Sequence, residues 1–253
     1  MTKRAVVLVT GASKGIGAAT ALAFSEAGYD VCVNYQRDGS GAAQTVAKCQ
    51  ANGVRAFAAQ ADVADKDAVT AMFAKCDDEL GPVSCLVNNA GIIGGSTTLA
   101  DLDEAALSAT FATNVFGAVY CLQEALHRMR TDRGGAGGAI ITMSSVAATL
   151  GSPGEYVHYA ASKGALETLT IGAAKELGPL GIRVSAIRVG TTTATDMHAR
   201  EGNPDRPGVV AAATPLGRIA NLGDIAEAAL WLASPKAEFV SGTILTVAGG
   251  LAP

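Results

Sequence analysis

Short runs of apolar, largely β-branched residues alternate with longer stretches of helical period along this chain. The pattern predicts strands over residues 5–9, 31–34, 54–59, 84–88, 139–143, 182–188 and 243–247. It predicts helices over residues 15–27, 41–51, 66–79, 111–129, 157–177 and 224–233. Strands that are apolar throughout belong in a parallel sheet covered on both faces. Strict alternation with helices builds right-handed βαβ units. The expected fold is therefore α/β, a doubly wound Rossmann-type domain with about seven parallel strands and helices on both faces. Ligands of such a sheet bind beyond the carboxyl ends of its strands. No linker, repeat or low-complexity tract divides residues 1–253, so one domain is expected. Residues 131–138 read as a surface loop. Residues 190–214 lack a strong pattern and read as a substrate loop, with Met197, His198 and Arg200 as its few anchors.

Composition narrows the classes. Hydrophobic residues make up 49% and charged residues 17%, which excludes a disordered chain. The net charge is −4 and no basic block occurs, so nucleic acid is not an expected partner. No apolar run was expected to reach the ~20 residues of a membrane span. The first strand is too short for a signal-peptide core, which points to a cytoplasmic protein. The five cysteines are scattered, without a Cys-x-x-Cys pair, and Cys32, Cys85 and Cys121 read as buried free thiols. His127, His158 and His198 lie far apart, and no metal site is expected.

Two motifs carry chemistry. The first strand ends in Thr10-Gly11-Ala12-Ser13-Lys14-Gly15-Ile16-Gly17 and runs into a helix. Glycines let backbone approach a pyrophosphate, and the helix N-terminus offers free N–H groups and a positive dipole. A tight turn that binds nothing is the bland alternative. The helix start lacks Gly-Lys-Ser/Thr, which disfavours a nucleoside triphosphate. The second motif is Tyr159-Ala160-Ala161-Ser162-Lys163. Residues four apart share a helix face, and an ammonium beside a phenol stabilises the phenolate. Such a pair can protonate a carbonyl oxygen or deprotonate an alcohol. A surface lysine over a packed tyrosine is the alternative. Ser144 and Ser145 end the fifth strand, where this sheet type builds its site. Asn114 sits mid-helix despite poor propensity, and Asn88-Asn89-Ala90-Gly91 ends the fourth strand.

Together with Asp62-Val63 and Gly249-Gly250, these segments resemble the short-chain dehydrogenase/reductase family, in its branch of about 250 residues. The resemblance covers essentially the whole chain. It implies an oxidoreductase interconverting a carbonyl and an alcohol on a small molecule, with a homotetramer that buries residues 111–129 and 157–177. It implies that Tyr159 is the acid/base, that Lys163 lowers its pKa and binds the nicotinamide ribose, and that Ser145 holds the substrate oxygen. Asn114 would hold a water of the proton relay. Gly11, Ser13, Lys14, Gly15, Ile16 and Gly17 would cradle the pyrophosphate. Asp62 and Val63 would flank the adenine, and Asn89, Ala90, Gly91 and Gly190 would line the cofactor cleft.

The chain departs from the family in two places. Val189-Gly190 stands where Pro-Gly is usual, and the serine-to-tyrosine spacing is one residue longer than is common, which leaves Ser144 as a rival to Ser145. Tyr156 lies seven before Lys163, the wider spacing of the family's enoyl reductases, but the shorter pair fits the other motifs. Tyr156 is expected to line the substrate mouth or to pack, and His158 to be structural or solvated. The second strand ends Asn34-Tyr35-Gln36-Arg37-Asp38, with Tyr35 at the position where an NAD enzyme places its acid. Arg37 and Lys14 can meet a 2′-phosphate, so NADP is favoured over NAD. The sugar dehydrogenases and 3-oxoacyl carrier-protein reductases are the branches the C-terminal third looks like. A cofactor-binding regulator without turnover is the rival function.

Overall fold

A computed structural model describes residues 4–193 and 206–252. Seven strands form one parallel sheet in the order β3-β2-β1-β4-β5-β6-β7. They are β1 (Val6–Val9), β2 (Asp30–Tyr35), β3 (Ala56–Gln60), β4 (Cys85–Asn88), β5 (Gly138–Ser145), β6 (Ile182–Val189) and β7 (Ile244–Val247). The helices are α1 (Gly15–Glu26), α2 (Gly39–Ala51), α3 (Lys66–Glu79), α4 (Glu104–Phe111), α5 (Gly117–Met129), α6 (Ala147–Leu150), α7 (Val157–Leu177), α8 (Arg206–Ala213) and α9 (Leu222–Ala233). The order reverses between β1 and β4, and that switch point opens a crevice at the carboxyl ends.

Side-chain alternation makes two cores. Leu8, Leu86, Ile140 and Val184 face α3, α5 and α7, where Phe73, Met129 and Leu177 cover them. Val7, Val9, Ile141 and Ile187 face α1, α2 and α9, where Phe24 and Ile225 close the layer. Local signals set the helix starts. Asp65 caps α3 by accepting from the N–H groups of Asp67 and Ala68. Asn221 and Asp224 form a reciprocal capping box at α9. The five cysteines are free and buried.

Three expectations need correction. The helix expected from residue 111 begins at Glu104, where Asp103 caps it, so the helical run extends to Met129. By length and composition that run could cross a membrane, with a mean hydropathy of 1.4 over its most apolar window. Here it flanks the sheet, and Cys121, Ala125 and Met129 pack into the core. Residues 190–214 are not loop throughout, because α8 occupies Arg206–Ala213. The short helix α6 had no periodic signal at all. Met197, His198 and Arg200 lie outside the described residues.

Candidate active site

The glycine turn is held by side chains that face away from any ligand. Gly11 and Gly15 adopt φ of +62° and +58°, which only glycine takes without strain. A Cβ on Gly17 would lie 2.5 Å from both the Asn89 side chain and the Gly11 carbonyl. Asn34, buried in β2, accepts from the Gly11 N–H at 3.1 Å and donates to the Ala59 and Ala61 carbonyls. Asn89 donates to the Thr10 and Gly11 carbonyls, and the Thr10 hydroxyl accepts from the Asn89 and Ala90 N–H groups. The turn is thus braced from β2 and from β4. Helix α1 starts after Lys14 with no side-chain cap and no acidic residue in its first turn. That leaves its N–H groups and positive end for an anion, so the residues present fit a dinucleotide.

The residues expected to flank an adenine are also placed. Asp62 accepts from Gln36 at 2.6 Å and from the Ala64 N–H. Val63 is buried against Gly117, whose absent Cβ would meet it at 2.8 Å. Arg37 is exposed on the β2–α2 connection. Asp38 caps α2, accepting from the Gly41 N–H and the Ser40 hydroxyl, which hold its carboxyl below the usual range. Gly190 donates to the Val247 carbonyl and packs against Ala248.

The expected catalytic residues converge from three elements. A cleft of about 140 Å³ is lined by Ile16, Asn89, Gly91, Ser145, Tyr156, Tyr159, Lys163 and the segment Gly190 to Thr192. Tyr159 and Lys163 share the inner face of α7, with the Lys163 Nζ 5.6 Å from the Tyr159 ring centroid. The ammonium donates to the Met143 carbonyl at 2.7 Å. Alternation along β5 separates the two serines. Ser144 is buried and donates to Glu167 at 2.8 Å. Ser145 accepts from the Ala147 N–H at 3.2 Å and lines the cleft with Tyr159, whose phenol pKa it lowers. Asn114 sits in a π-helical turn, Ala112–Phe116, between α4 and α5. Such turns are frequent at functional sites. Its amide donates to the Ile92 carbonyl and to Ser162, and its oxygen accepts from the Ile92 N–H. Ser162 donates in turn to the Tyr159 carbonyl at 2.7 Å. The absent side chain of Gly91 leaves Asn114 facing Lys163: a Cβ there would lie 3.2 Å from the Asn114 oxygen and 3.5 Å from the Lys163 Nζ.

Burial dominates the electrostatics. It pushes the Tyr159 phenol up to about 12, against a lowering by Ser145 and with a further rise from Tyr156. It pushes the Lys163 ammonium down to about 8. The phenol is held in its acid form at neutral pH.

Sequence reasoning left other positions open. Tyr156 is buried and stands edge-on to Tyr159, with centroids 5.8 Å apart at 82°, and it also lines the cleft. His158 is buried, not solvated, and neither ring nitrogen has a hydrogen-bond partner. Asn34, Thr10 and Ser162 were missed. A polar residue inside an apolar strand was the available signal for Asn34. Among the described residues no cluster of His, Cys, Asp or Glu could hold a metal.

Fold and cleft define a dinucleotide-binding oxidoreductase. A family model described as Enoyl-(Acyl carrier protein) reductase matches residues 11–252. An uncharacterised oxidoreductase of Escherichia coli (strain K12), YgfF, is 45% identical over 246 residues, 97% of this chain and 99% of that protein. The 3-oxoacyl-[acyl-carrier-protein] reductase FabG of Staphylococcus aureus (strain Mu50 / ATCC 700699) is 39% identical over 253 residues, 99% of this chain and 98% of that one. A solved 7α-hydroxysteroid dehydrogenase with NADH and 7-oxo glycochenodeoxycholic acid superposes with a TM-score of 0.90 at 34% identity, covering 97% of this chain and 93% of that one. A blue fluorescent protein from a metagenomic library, complexed with NADPH, gives 0.89 at 33% identity, covering 98% of each. The chain belongs to the short-chain dehydrogenase/reductase family. It is an NAD(P)-dependent oxidoreductase acting on CH–OH and C=O groups.

Proposed function

We propose that Tyr159 is the acid/base of a carbonyl–alcohol interconversion, that NADP(H) is the preferred cofactor, and that residues 1–253 form one catalytic domain. The observation that carries the reading is that Ser145, Tyr159 and Lys163 line one cleft that also reaches the glycine turn. When bound, the cofactor supplies the hydride. In the reductive direction Ser145 and Tyr159 bind the carbonyl oxygen, and Tyr159 gives it a proton as the carbon is reduced. In the oxidative direction Tyr159 takes the alcohol proton back, which the adjacent Lys163 ammonium assists electrostatically. Asn114 fixes the Ile92 backbone and α7 beside that path, and offers its oxygen to a relay water.

Arg37 supports the preference for NADP. It is exposed beside the cap of α2, while one oxygen of the neighbouring Asp38 carboxylate is engaged by Gly41 and Ser40. A guanidinium suits a 2′-phosphate. The protein is further read as cytoplasmic, with no membrane or nucleic-acid partner. A homotetramer would cover the exposed Leu107 on α4, Phe116 in the π-helical turn and Ile171 on α7. A monomer in light scattering refutes that assembly.

The test uses ethyl acetoacetate, acetoin and phenanthrenequinone as carbonyl probes, each with NADPH and NADH. The expected result is turnover by the wild type with a higher kcat/KM for NADPH, near-complete loss in Tyr159→Phe, and turnover retained in Tyr156→Phe. Loss in Tyr156→Phe with activity kept in Tyr159→Phe moves the acid/base role to Tyr156. A clear preference for NADH removes Arg37 from the argument.

A further inference from the structure

Just below the catalytic face lies a polar row in an otherwise apolar sheet. Ser144 on β5, Arg188 on β6 and Thr246 on β7 are lateral neighbours in the parallel register. Alternation directs all three toward the α7 face of the sheet. Glu167, one helical turn beyond Lys163, closes over them. Arg188 grips its carboxylate with both prongs of the guanidinium, Nε to Oε1 at 3.0 Å and Nη2 to Oε2 at 2.8 Å. Ser144 donates to the same Oε1 at 2.8 Å, and its hydroxyl lies 3.4 Å from the Lys163 carbonyl. Arg188 also reaches the Thr246 hydroxyl at 3.4 Å. The two charged side chains are only 13% and 14% exposed.

A largely desolvated ion pair is a poor way to gain stability, because the desolvation penalty offsets most of the attraction. Hydrophobic residues would hold a helix to a sheet equally well. What a bidentate pair adds is direction: two parallel bonds fix both the distance and the angle between their bearers. The bearers here are α7, which carries Tyr159 and Lys163, and β6, which runs directly into Gly190 and the cleft. Ser144 ties in the strand that carries Ser145.

We propose that Glu167 and Arg188 are positioning residues: their ion pair sets the register of α7 against the ends of β5 and β6, and thereby the placement of Tyr159 and Lys163 relative to Ser145 and Gly190. The proposal rests on the catalytic role proposed for Tyr159. It acts on geometry and leaves the phosphate end, braced by Asn34 and Asn89, untouched.

The experiment compares wild type, Glu167→Gln, Arg188→Met and the reciprocal exchange Glu167→Arg with Arg188→Glu. Tyr159→Phe serves as control, and Glu167→Asp and Arg188→Lys as milder variants in case the others fold poorly. Reduction of ethyl acetoacetate, acetoin and phenanthrenequinone gives kcat and KM, NADPH fluorescence gives the cofactor Kd, and thermal melts give the folded fraction. Displacements of about 1 Å can cost up to ~100-fold in rate. The expected result is a fall in kcat of about tenfold to a hundredfold in both single variants, with Kd changed by less than about threefold. The milder variants are expected to fall between these and the wild type, and the exchange is expected to recover part of kcat. Single variants with wild-type kcat, or a loss that tracks the unfolded fraction and is not recovered by the exchange, overturn the proposal while the role of Tyr159 stands. A Tyr159→Phe enzyme that keeps its turnover, or a wild type inactive on every probe, overturns the underlying reading and the proposal with it.

Discussion

The two halves of the cleft are built on opposite principles. The phosphate end is made of backbone: glycines at positive φ, an uncapped helix start, and asparagines whose polar groups are spent on holding carbonyls and N–H groups in place. The reacting end is made of side chains brought from β5, the π-helical turn and α7, and two of its titratable groups are driven by burial far from their ordinary pKa values. Tolerance of change should differ accordingly. The first half fails when a side chain is added. The second fails when a functional group is removed.

Removing the hydroxyl of Tyr159 is the largest expected effect. A general acid in this position is worth about 10²–10⁴-fold, so Tyr159→Phe should lower kcat within that range, read by steady-state reduction of the carbonyl probes. Gly17→Ala comes next. Its Cβ would collide with Asn89 and the Gly11 carbonyl, so the turn must open, and NADPH affinity should fall by about tenfold or more in a fluorescence titration. Asn34→Ala removes the acceptor for the Gly11 N–H and should cost about 1–3 kcal/mol of stability for that buried amide. Denaturant unfolding with and without NADPH would register both that loss and the weakened cofactor affinity.

Lys163 sharpens the contrast from the side of stability. Its folded pKa of about 8 lies below the ordinary lysine value of 10.5, so between those values the unfolded chain binds more protons than the folded one. Stability contributed through this group therefore rises as pH climbs through that window. Lys163→Met should be the more stable protein at pH 7, by up to about 3 kcal/mol, with the advantage fading toward pH ~10. Thermal melts across that range check the sign, and a variant less stable at every pH contradicts it. The smallest effect is in the rate profile. Reductive kcat/KM should decline as pH rises through about 8, where Lys163 loses its charge. A profile flat well beyond that pH separates Lys163 from the proton step.

What the sequence made legible follows the same division. Strand placement, helix placement and the glycine turn could be read because apolar periodicity and glycine spacing are local signals, as in α3 and α7, whose bounds match expectation. The missed elements lack such signals. Helix α6 spans one turn, and the residues before Phe111 carry no apolar stripe to mark α4. Ser144 and Ser145 could not be told apart from spacing, yet strand alternation turns Ser144 to Glu167 and Ser145 to the opposite side, where it accepts from the Ala147 N–H. The burial that raises the Tyr159 pKa could not be read from the sequence, because it depends on contacts distant along the chain. The bracing by Asn34 and the Glu167–Arg188 pair could not be read, because their partners lie on elements distant in sequence.

The most direct test of the central claim is a single-turnover measurement on Tyr159→Phe preloaded with NADPH and mixed with the carbonyl probe the wild type reduces best. The account predicts a cofactor Kd within about threefold of wild type and a hydride-transfer rate lower by about 10²-fold or more. A hydride-transfer rate close to wild type, or a rate loss explained entirely by weakened NADPH binding, would contradict it.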